Sequence, residues 1–341
     1  MLVLLDLLVI AVITAATWSA PRLARPTLPF GVRIPAARAT DPEIQASHRR
    51  HGHRVLAIGA VAAVTLLGTW LWTDWAPSPE LTLLPVVAAS VLCGLLAAGE
   101  VRKTKQEKDF NAGTRSANTA DVGLRTNPVR LPWPWLTPAL LITATTAALA
   151  LSQGHTLAPV TAQLLLITLV LLTTAGILRA RPEIDPERPA GSARRYRVYL
   201  AGLARLLLAS AACADASLLV NALRQWGMLA DSGWVTALAY LPLGVALVGW
   251  VYFAVRVGEA GHRLPAEAGE EEAAPLRRDD DRYWHAAGMV YVNRRDPALL
   301  VHRRVGMFWT LNLGNPLAWT VVGAVVVLAT LSSLGVVDLP S

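Results

Sequence analysis

Three charged residues lie within apolar stretches of the sequence that are long enough to cross a bilayer. Asp6 is in the first stretch, and Arg205 and Asp215 share a later one. A charge in the hydrocarbon costs about 2.5–3.5 kcal/mol on insertion scales, so such residues are candidates for a functional site. A buried carboxylate can bind a proton or a cation, or it can hydrogen-bond to a neighbouring helix and only fix the packing. Both interpretations stay open.

The second candidate group is the segment HRRHGH at 48–53. In a helix, His48 and His51 share a face but His53 does not. Two histidines without a nearby carboxylate or cysteine make a poor zinc site, so we predict a basic anchor and no metal. The sequence contains no HExxH, GxSxG, Walker or CxxC motif, and nothing supplies a nucleophile with its base. We therefore expect no enzymatic activity and no cofactor.

The third candidate group is the segment DRYWHAAGMVYVNRRDPALLVHRRVGMFWTLN at 281–312. Two apolar, β-prone runs flank RRDP, which predicts a short hairpin of 289–293 with 299–303. An isolated hairpin is marginally stable in water, so it needs a surface to lie on. The segment is then either a scaffold that docks the preceding linker or a recognition surface. The residues expected to contact lipid phosphate or an acidic partner are Arg294, Arg295, Arg303, Arg304 and Trp309.

These residues are positioned by a chain that is largely apolar. It is 54% hydrophobic and 16% charged, with a mean hydropathy of +0.42, which is typical of an integral membrane protein. A membrane-crossing helix needs about 20 apolar residues. The sequence therefore predicts an all-α fold with eight transmembrane helices. Their predicted ranges are 1–19, 55–74, 81–100, 136–152, 157–178, 198–222, 234–255 and 317–337.

The positive charges indicate which side of the membrane each loop faces. Nearly all of the 31 Lys and Arg residues fall in the loops 20–54, 101–135, 179–197 and 256–316. These loops alternate with short connectors that hold almost no positive charge. Because positive loops stay in the cytoplasm, both termini are predicted to lie on the outer side of the cell (inner) membrane. Anionic lipid at the cytoplasmic face is the expected partner of the basic loops, and we expect no nucleic-acid binding.

The same pattern divides the chain into three parts. Residues 1–255 form the first seven helices with their basic loops, and 256–316 form a cytoplasmic linker and the hairpin. Residues 317–341 form the last helix and an outer tail. Within the second part, 259–281 is rich in Ala, Glu and Gly and is predicted to be flexible.

Two segments carry motifs that resemble a bacterial membrane family related to SdpI-like immunity proteins. In TLPFGVRIPAARATDPEI at 27–44, the matching residues after the first helix are Pro29, Phe30, Gly31 and Arg33. The later segment resembles a C-terminal module of some members. The matching residues are Tyr291, Asn293, Asp296, Pro297, Arg304, Gly306, Trp309, Thr310, Leu311 and Asn312. In that module Arg294 replaces the usual proline.

The resemblance implies a regulatory role. SdpI-like proteins protect the producing cell from a secreted toxin and can hold a cytoplasmic repressor at the membrane. The implied function is therefore a multi-pass sensor, immunity or regulatory protein with a cytoplasmic docking face and a cytoplasmic regulatory protein as partner. The alternative hypothesis is a small secondary transporter that works through Asp6 and Asp215. Nothing in the sequence indicates the oligomeric state.

The topology can be tested with a reporter that is active only in the cytoplasm. We expect activity when the reporter is inserted within 265–272 and silence when it follows Ser341, because only the first site lies in a positive loop. Colony fluorescence or enzyme activity, normalised to the amount of protein, measures the result. Activity after Ser341, or silence within 265–272, would contradict the eight-helix topology.

Overall fold

The computed structural model describes residues 2–73, 78–112, 115–116, 124, 126–268, 270, 276–277 and 280–333. Within this part of the chain the fold is mostly helical, and seven helices are long and apolar enough to cross a membrane. The coarse prediction of a helical, multi-pass membrane architecture is thus confirmed. The last predicted helix corresponds to a shorter apolar helix. The total of eight crossings and the outside position of the termini stay predictions, and the tail from 334 onward lies outside the described residues.

Eight α-helices lie within the described residues. They are α1 (Leu2–Leu23), α2 (Pro42–Thr73), α3 (Pro79–Glu107), α4 (Thr137–Gln153), α5 (Ala158–Arg179), α6 (Pro189–Gln225), α7 (Gly233–Arg256) and α8 (Pro316–Ser333). Helix α2 begins earlier than the apolar run because the Asp41 carboxylate accepts a hydrogen bond of 2.9 Å from the Glu43 amide. Such a side-chain acceptor satisfies a free amide at a helix start. The HRRHGH segment is consequently helical.

The chain divides into two compact units, and the first holds α1, α2 and α3 together with 280–293 and 303–310. Helix α2 packs against both α1 and α3. After α1 the chain folds back over the end of α3, where its apolar side chains are buried. The members of this core are Phe30, Val32, Ile34, Ile44, Ala97, Ala98, Val101 and Phe110. The PFGVR motif is therefore part of the core of the first unit.

Gly31 is required where the PFGVR motif contacts the segment 281–312, which we call the C-terminal module, or simply the module. Its φ of +77° is in the left-handed region, which a side chain strains. A Cβ at this position would lie 2.2 Å from the Ala287 carbonyl oxygen. Gly288, with φ of +82°, also approaches closely, since its Cβ would lie 2.9 Å from the Gly31 Cα. Two motifs that are far apart in sequence thus meet backbone to backbone.

The second unit holds α4 to α8 together with 294–302. Helix α6 is its centre and packs against α4, α5 and α7. Its buried apolar core includes Leu136, Ala139, Ile167 and Leu208. Among the buried residues of α4, which packs against α6, are Thr143 and Thr146.

Within the described part of the chain, short strands form three two-stranded sheets. The strands are β1 (Arg115–Ser116), β2 (Leu276–Arg277), β3 (Trp284–His285), β4 (Val290–Tyr291), β5 (Leu300–His302) and β6 (Trp309–Leu311). Strands β1 and β2 are parallel, β3 and β4 are antiparallel with Trp284 opposite Tyr291, and β5 neighbours β6.

The predicted pairing of 289–293 with 299–303 is wrong, although a hairpin does precede α8. Strand β4 pairs instead with β3, because Ala286, Ala287 and Gly288 all have positive φ and reverse the chain directly after β3. Alanine rarely adopts this conformation, so Ala286 and Ala287 do not indicate a turn. The RRDP segment is held by side-chain contacts and does not connect paired strands.

Gly31→Ala should destabilise the first unit, because the added methyl group meets the Ala287 carbonyl and the left-handed backbone becomes strained. We expect a loss of about 1–3 kcal/mol, measured as a lower thermal unfolding midpoint of the purified protein in detergent. Gly99→Ala is the matched control, since a Cβ at Gly99 has nothing within 4 Å. Equal midpoints for the two variants would contradict the close contact of the two motifs.

Candidate functional site

The strongest concentration of buried charge is in the first unit, and we call it the buried ion cluster (Arg33, Lys105, Asp280, Asp281 and Arg304). Arg304 is at its centre with an exposed fraction of only 1%. Its guanidinium forms ion pairs with both Asp280 and Asp281 and donates to the Gly31 carbonyl at 2.9 Å. A guanidinium suits this position because its fork of donors can bind several oxygens at once.

The other two cations of the cluster bind the same carboxylates. Lys105, near the end of α3, forms an ion pair with Asp281. The Arg33 Nε lies 3.6 Å from an Asp280 oxygen, and the Arg33 amide donates to Asp281 at 3.4 Å. The cluster therefore joins the segment after α1, the end of α3 and the start of the module.

The electrostatics of the cluster favour ionised carboxylates. Burial raises the pKa of the Asp281 carboxyl, but Arg304 and Lys105 outweigh this effect and lower it to about 2. Opposite charges within a few ångströms stabilise the ionised form of an acid. The Asp281 carboxylate is thus ionised at physiological pH, which suits a structural ion pair with Arg304 and Lys105.

Aromatic side chains cover the cluster. Trp284 is buried, with its ring 4.8 Å from that of Tyr291 and 5.2 Å from the Arg304 guanidinium carbon. Arg102 of α3 donates to the Trp284 carbonyl at 3.0 Å. A guanidinium within about 6 Å of a tryptophan ring adds a cation–π attraction to the ion pairs. The module itself therefore covers Trp284, whereas Phe308 is exposed.

In the second unit, Asp296 organises the segment between β4 and β5. It forms an ion pair with Arg181, which follows α5, and accepts a hydrogen bond of 3.0 Å from the Ala298 amide. The Asn312 side chain donates to the Asp296 carbonyl at 2.9 Å. We call Arg294–Pro297 the arginine turn, because its first two residues are exposed arginines. Motif residues therefore hold this turn, and Arg294 and Arg295 form its surface.

The remaining predicted contact residues differ in their exposure. Arg304 is buried and binds internal partners, whereas Arg303 and Trp309 are partly buried. Arg205 is exposed on α6. Among the histidines of HRRHGH, His51 is buried and His53 is exposed. The described residues contain no group of three or more His, Cys, Asp or Glu that could hold a metal.

The two intramembrane carboxylates belong to different units. Asp6 is buried in α1 of the first unit, and Asp215 is fully buried in α6 of the second. Among the described residues, neither oxygen of the Asp215 carboxylate has a hydrogen-bond partner. Gln163 of α5 donates to the Asp215 backbone carbonyl at 3.0 Å, but its own side-chain oxygen is also without a partner, as is the Thr143 hydroxyl. Buried polar atoms of Asp215, Gln163 and Thr143 in the second unit therefore lack hydrogen-bond partners among the described residues.

Sequence reasoning missed the acidic half of the buried ion cluster. Asp280 and Asp281 lie at the end of the predicted flexible linker, yet Asp280 is 6% exposed and both bind Arg304. Glu270, earlier in that linker, forms ion pairs with Arg194 and Arg195 of α6. The prediction that 259–281 is flexible is wrong for these residues. The acidic run DDD beside an arginine-rich module was the available signal.

Comparison with known proteins assigns only part of the chain. Residues 294–319 match the profile of DUF5808, a family of unknown function. The match begins at the arginine turn and ends in the first turn of α8. No curated protein and no solved structure matches the chain.

Arg304→Gln should destabilise the module strongly, because Asp280 and Asp281 lose their main counter-charge in a buried site. Breaking a buried pair in this way costs about 3–5 kcal/mol. The thermal unfolding midpoint in detergent should fall, and protease should cleave 280–312 faster. Arg294→Gln is the matched control, since an exposed arginine contributes within about 0.5 kcal/mol. A midpoint for Arg304→Gln equal to that of the control would refute the structural role.

Proposed function

We propose that the chain is a sensor, immunity or regulatory protein of the cell membrane whose arginine turn docks a cytoplasmic regulatory protein. The observation that carries this proposal is that some charged and polar residues of the module bind other parts of the protein, whereas two arginines are exposed. The motif residues Arg304, Asp296 and Asn312 are used internally. Arg294 and Arg295 are exposed on a turn that is held by several contacts. An ordered, positively charged turn presents its donors in fixed positions, which favours recognition of carboxylates or phosphates.

The proposed side of the membrane follows from charge. The turn belongs to the loop 256–316, which is one of the four basic loops, and positive loops are retained in the cytoplasm. Anionic lipid head groups are the nearest acidic surface to such a loop. A cytoplasmic protein with an acidic surface would compete with lipid for the same two arginines, so docking and release respond to small changes in their exposure.

The docking proposal is tested by reversing the charge of the turn. We expect Arg294→Glu with Arg295→Glu to abolish retention of a specific cytoplasmic protein while leaving the thermal unfolding midpoint unchanged, because both side chains are exposed. The intact protein is extracted with its native lipid in polymer discs, and co-purifying proteins and lipids are quantified by mass spectrometry.

The matched control is Arg49→Glu with Lys103→Glu, which reverses two exposed positive charges elsewhere. A protein lost from the turn variant and kept by the control supports docking. Identical co-purifying proteins in the wild type and both variants refute it. A change confined to anionic lipid means that the turn binds the membrane surface, which also refutes protein docking.

A second candidate function, a small secondary transporter, is favoured by the state of Asp215. The helices packed against α6 in the second unit carry no charged residue except Arg179 and Arg256 in their last turns. An ionised carboxylate without a counter-charge is very costly to bury. Asp215 would therefore hold a proton or a cation, as a coupling site requires. Asp6 is the corresponding candidate in the first unit.

Substitution of Asp215 distinguishes a role in ion-coupled transport from a role in helix packing. Asp215→Asn keeps a polar side chain, so a packing role predicts normal stability and phenotype, whereas a coupling role predicts normal stability and lost ion response. The measurement is the shift of the unfolding midpoint on adding sodium ions or changing pH, since a bound ligand stabilises the folded state. Asp215→Leu with raised stability and an unchanged phenotype would contradict any polar role of this residue.

A further inference from the structure

The first unit contains an elongated apolar cavity. Its volume is about 390 Å³, and it runs from Ile13 of α1 to Ala24, the residue after this helix, and along α3 from Val87 to Gly94. The distance from Ile13 to Ala24 is roughly 16 Å at a helical rise of about 1.5 Å per residue. The volume falls within the range of small-molecule pockets. A narrow, apolar space of this length fits a single hydrocarbon chain better than a compact ligand.

The cavity has one distinctive polar side chain. His51 of α2 lines it with an exposed fraction of 3%. Its Nε2 lies 3.4 Å from the Thr17 carbonyl, while its Nδ1 has no hydrogen-bond partner among the described residues. A buried ring nitrogen without a partner is unusual and calls for an explanation.

The chemistry of His51 indicates the head group of the ligand. A carbonyl oxygen can only accept, so Nε2 carries a hydrogen and the neutral ring leaves Nδ1 as an acceptor. A carboxylic acid satisfies this nitrogen in either state, because the acid donates to neutral Nδ1 and the carboxylate accepts from protonated Nδ1. An alcohol can also serve both forms, because its hydroxyl donates and accepts, whereas an ester can only accept and so serves only the charged ring.

Positive charge at the same level favours an anionic head group. A Cβ on Gly52 would lie 3.6 Å from an Arg22 guanidinium nitrogen, so Arg22 is beside the residue that follows His51. The rings of His48 and His51 both contact Phe30, at 4.9 Å and 5.0 Å between centroids. Charge complementarity therefore selects a carboxylate over a neutral head group.

Both family-type motifs contribute to the wall. Phe30 of PFGVR lines the cavity together with Met289 and Val305 of the module. A bound chain would contact the segments that the buried ion cluster holds together. Occupancy of the cavity can thus alter the packing of the module without contact with the exposed arginines.

We propose that this cavity binds a long-chain fatty acid, with its hydrocarbon chain between α1 and α3 and its carboxyl group at His51. The proposal rests on the sensor function proposed above and names the class of ligand sensed. Fatty acid binding and partner retention are separate measurements, so either proposal can fail alone.

The test uses the intact protein in discs of synthetic phosphatidylcholine and a photoactivatable palmitic acid analogue as the probe. Labelled peptides are identified by mass spectrometry. We expect labelling within 13–24 and 87–94, and competition by palmitate that is about tenfold stronger than by hexadecanol. Equal competition by the acid and the alcohol would overturn the role of the carboxyl group. Equal competition by added lysophosphatidylcholine would mean a groove filled by membrane lipid, which overturns the proposal.

Two pairs of variants locate the site. Gly94→Leu fills the cavity, since a Cβ there has nothing within 4 Å, and Gly99→Leu is its control on the same helix, equally open but outside the cavity lining. We expect labelling to fall about tenfold in the first and to persist in the second. His51→Leu should remove the preference for the acid, whereas His53→Leu, at an exposed position, should retain it. Unchanged labelling in Gly94→Leu, with the protein folded, overturns the proposal.

Discussion

The contact of the Arg304 guanidinium with two carboxylates and a backbone carbonyl is the interaction on which the module depends. Arg304 is almost completely buried, and removing a guanidinium from water is costly unless its charge is paired and hydrogen-bonded. Asp280, Asp281 and Gly31 supply the acceptors from two distant segments. The cluster therefore stabilises one arrangement of those segments strongly, because every alternative leaves a buried charge without a partner.

This arrangement separates structural from exposed charge within one short arginine-rich segment. Arg304 is used internally, whereas Arg294 and Arg295 remain at the surface. Arginines so close in sequence have different roles because the chain alternates between the two units, with 294–302 in the second and 303–310 in the first. The motif residues Asp296 and Asn312 do for the second unit what Arg304 does for the first, each closing a loop with a hydrogen bond or ion pair.

The helices were predictable from sequence, but the site was predictable only in part. Apolar runs locate α1, α3, α5 and α7 because crossing a membrane requires about 20 apolar residues whatever the packing. The start of α2 at Pro42 lies in polar sequence, where only a local capping contact of Asp41 decides it. The sequence marks Arg304 as a candidate contact residue but does not indicate its partners, since Gly31 is 273 residues away. The turn at Ala286 and Ala287 was unpredictable, because alanine does not favour a positive φ.

The sequence separation of the Gly31 and Arg304 contact also has a consequence for biosynthesis. The nascent chain leaves the ribosome from its N-terminus, so the Gly31 carbonyl emerges 273 residues before the side chain that binds it. At about 5–20 residues per second, the delay between the two is roughly 10–60 seconds. During that interval α1, α2 and α3 can insert, but Arg33 and Lys105 have no carboxylate from the module. The first unit is thus completed only after Arg304 has been translated, and a ribosome that stalls before Asp280 leaves an inserted but incomplete protein for membrane quality control to remove.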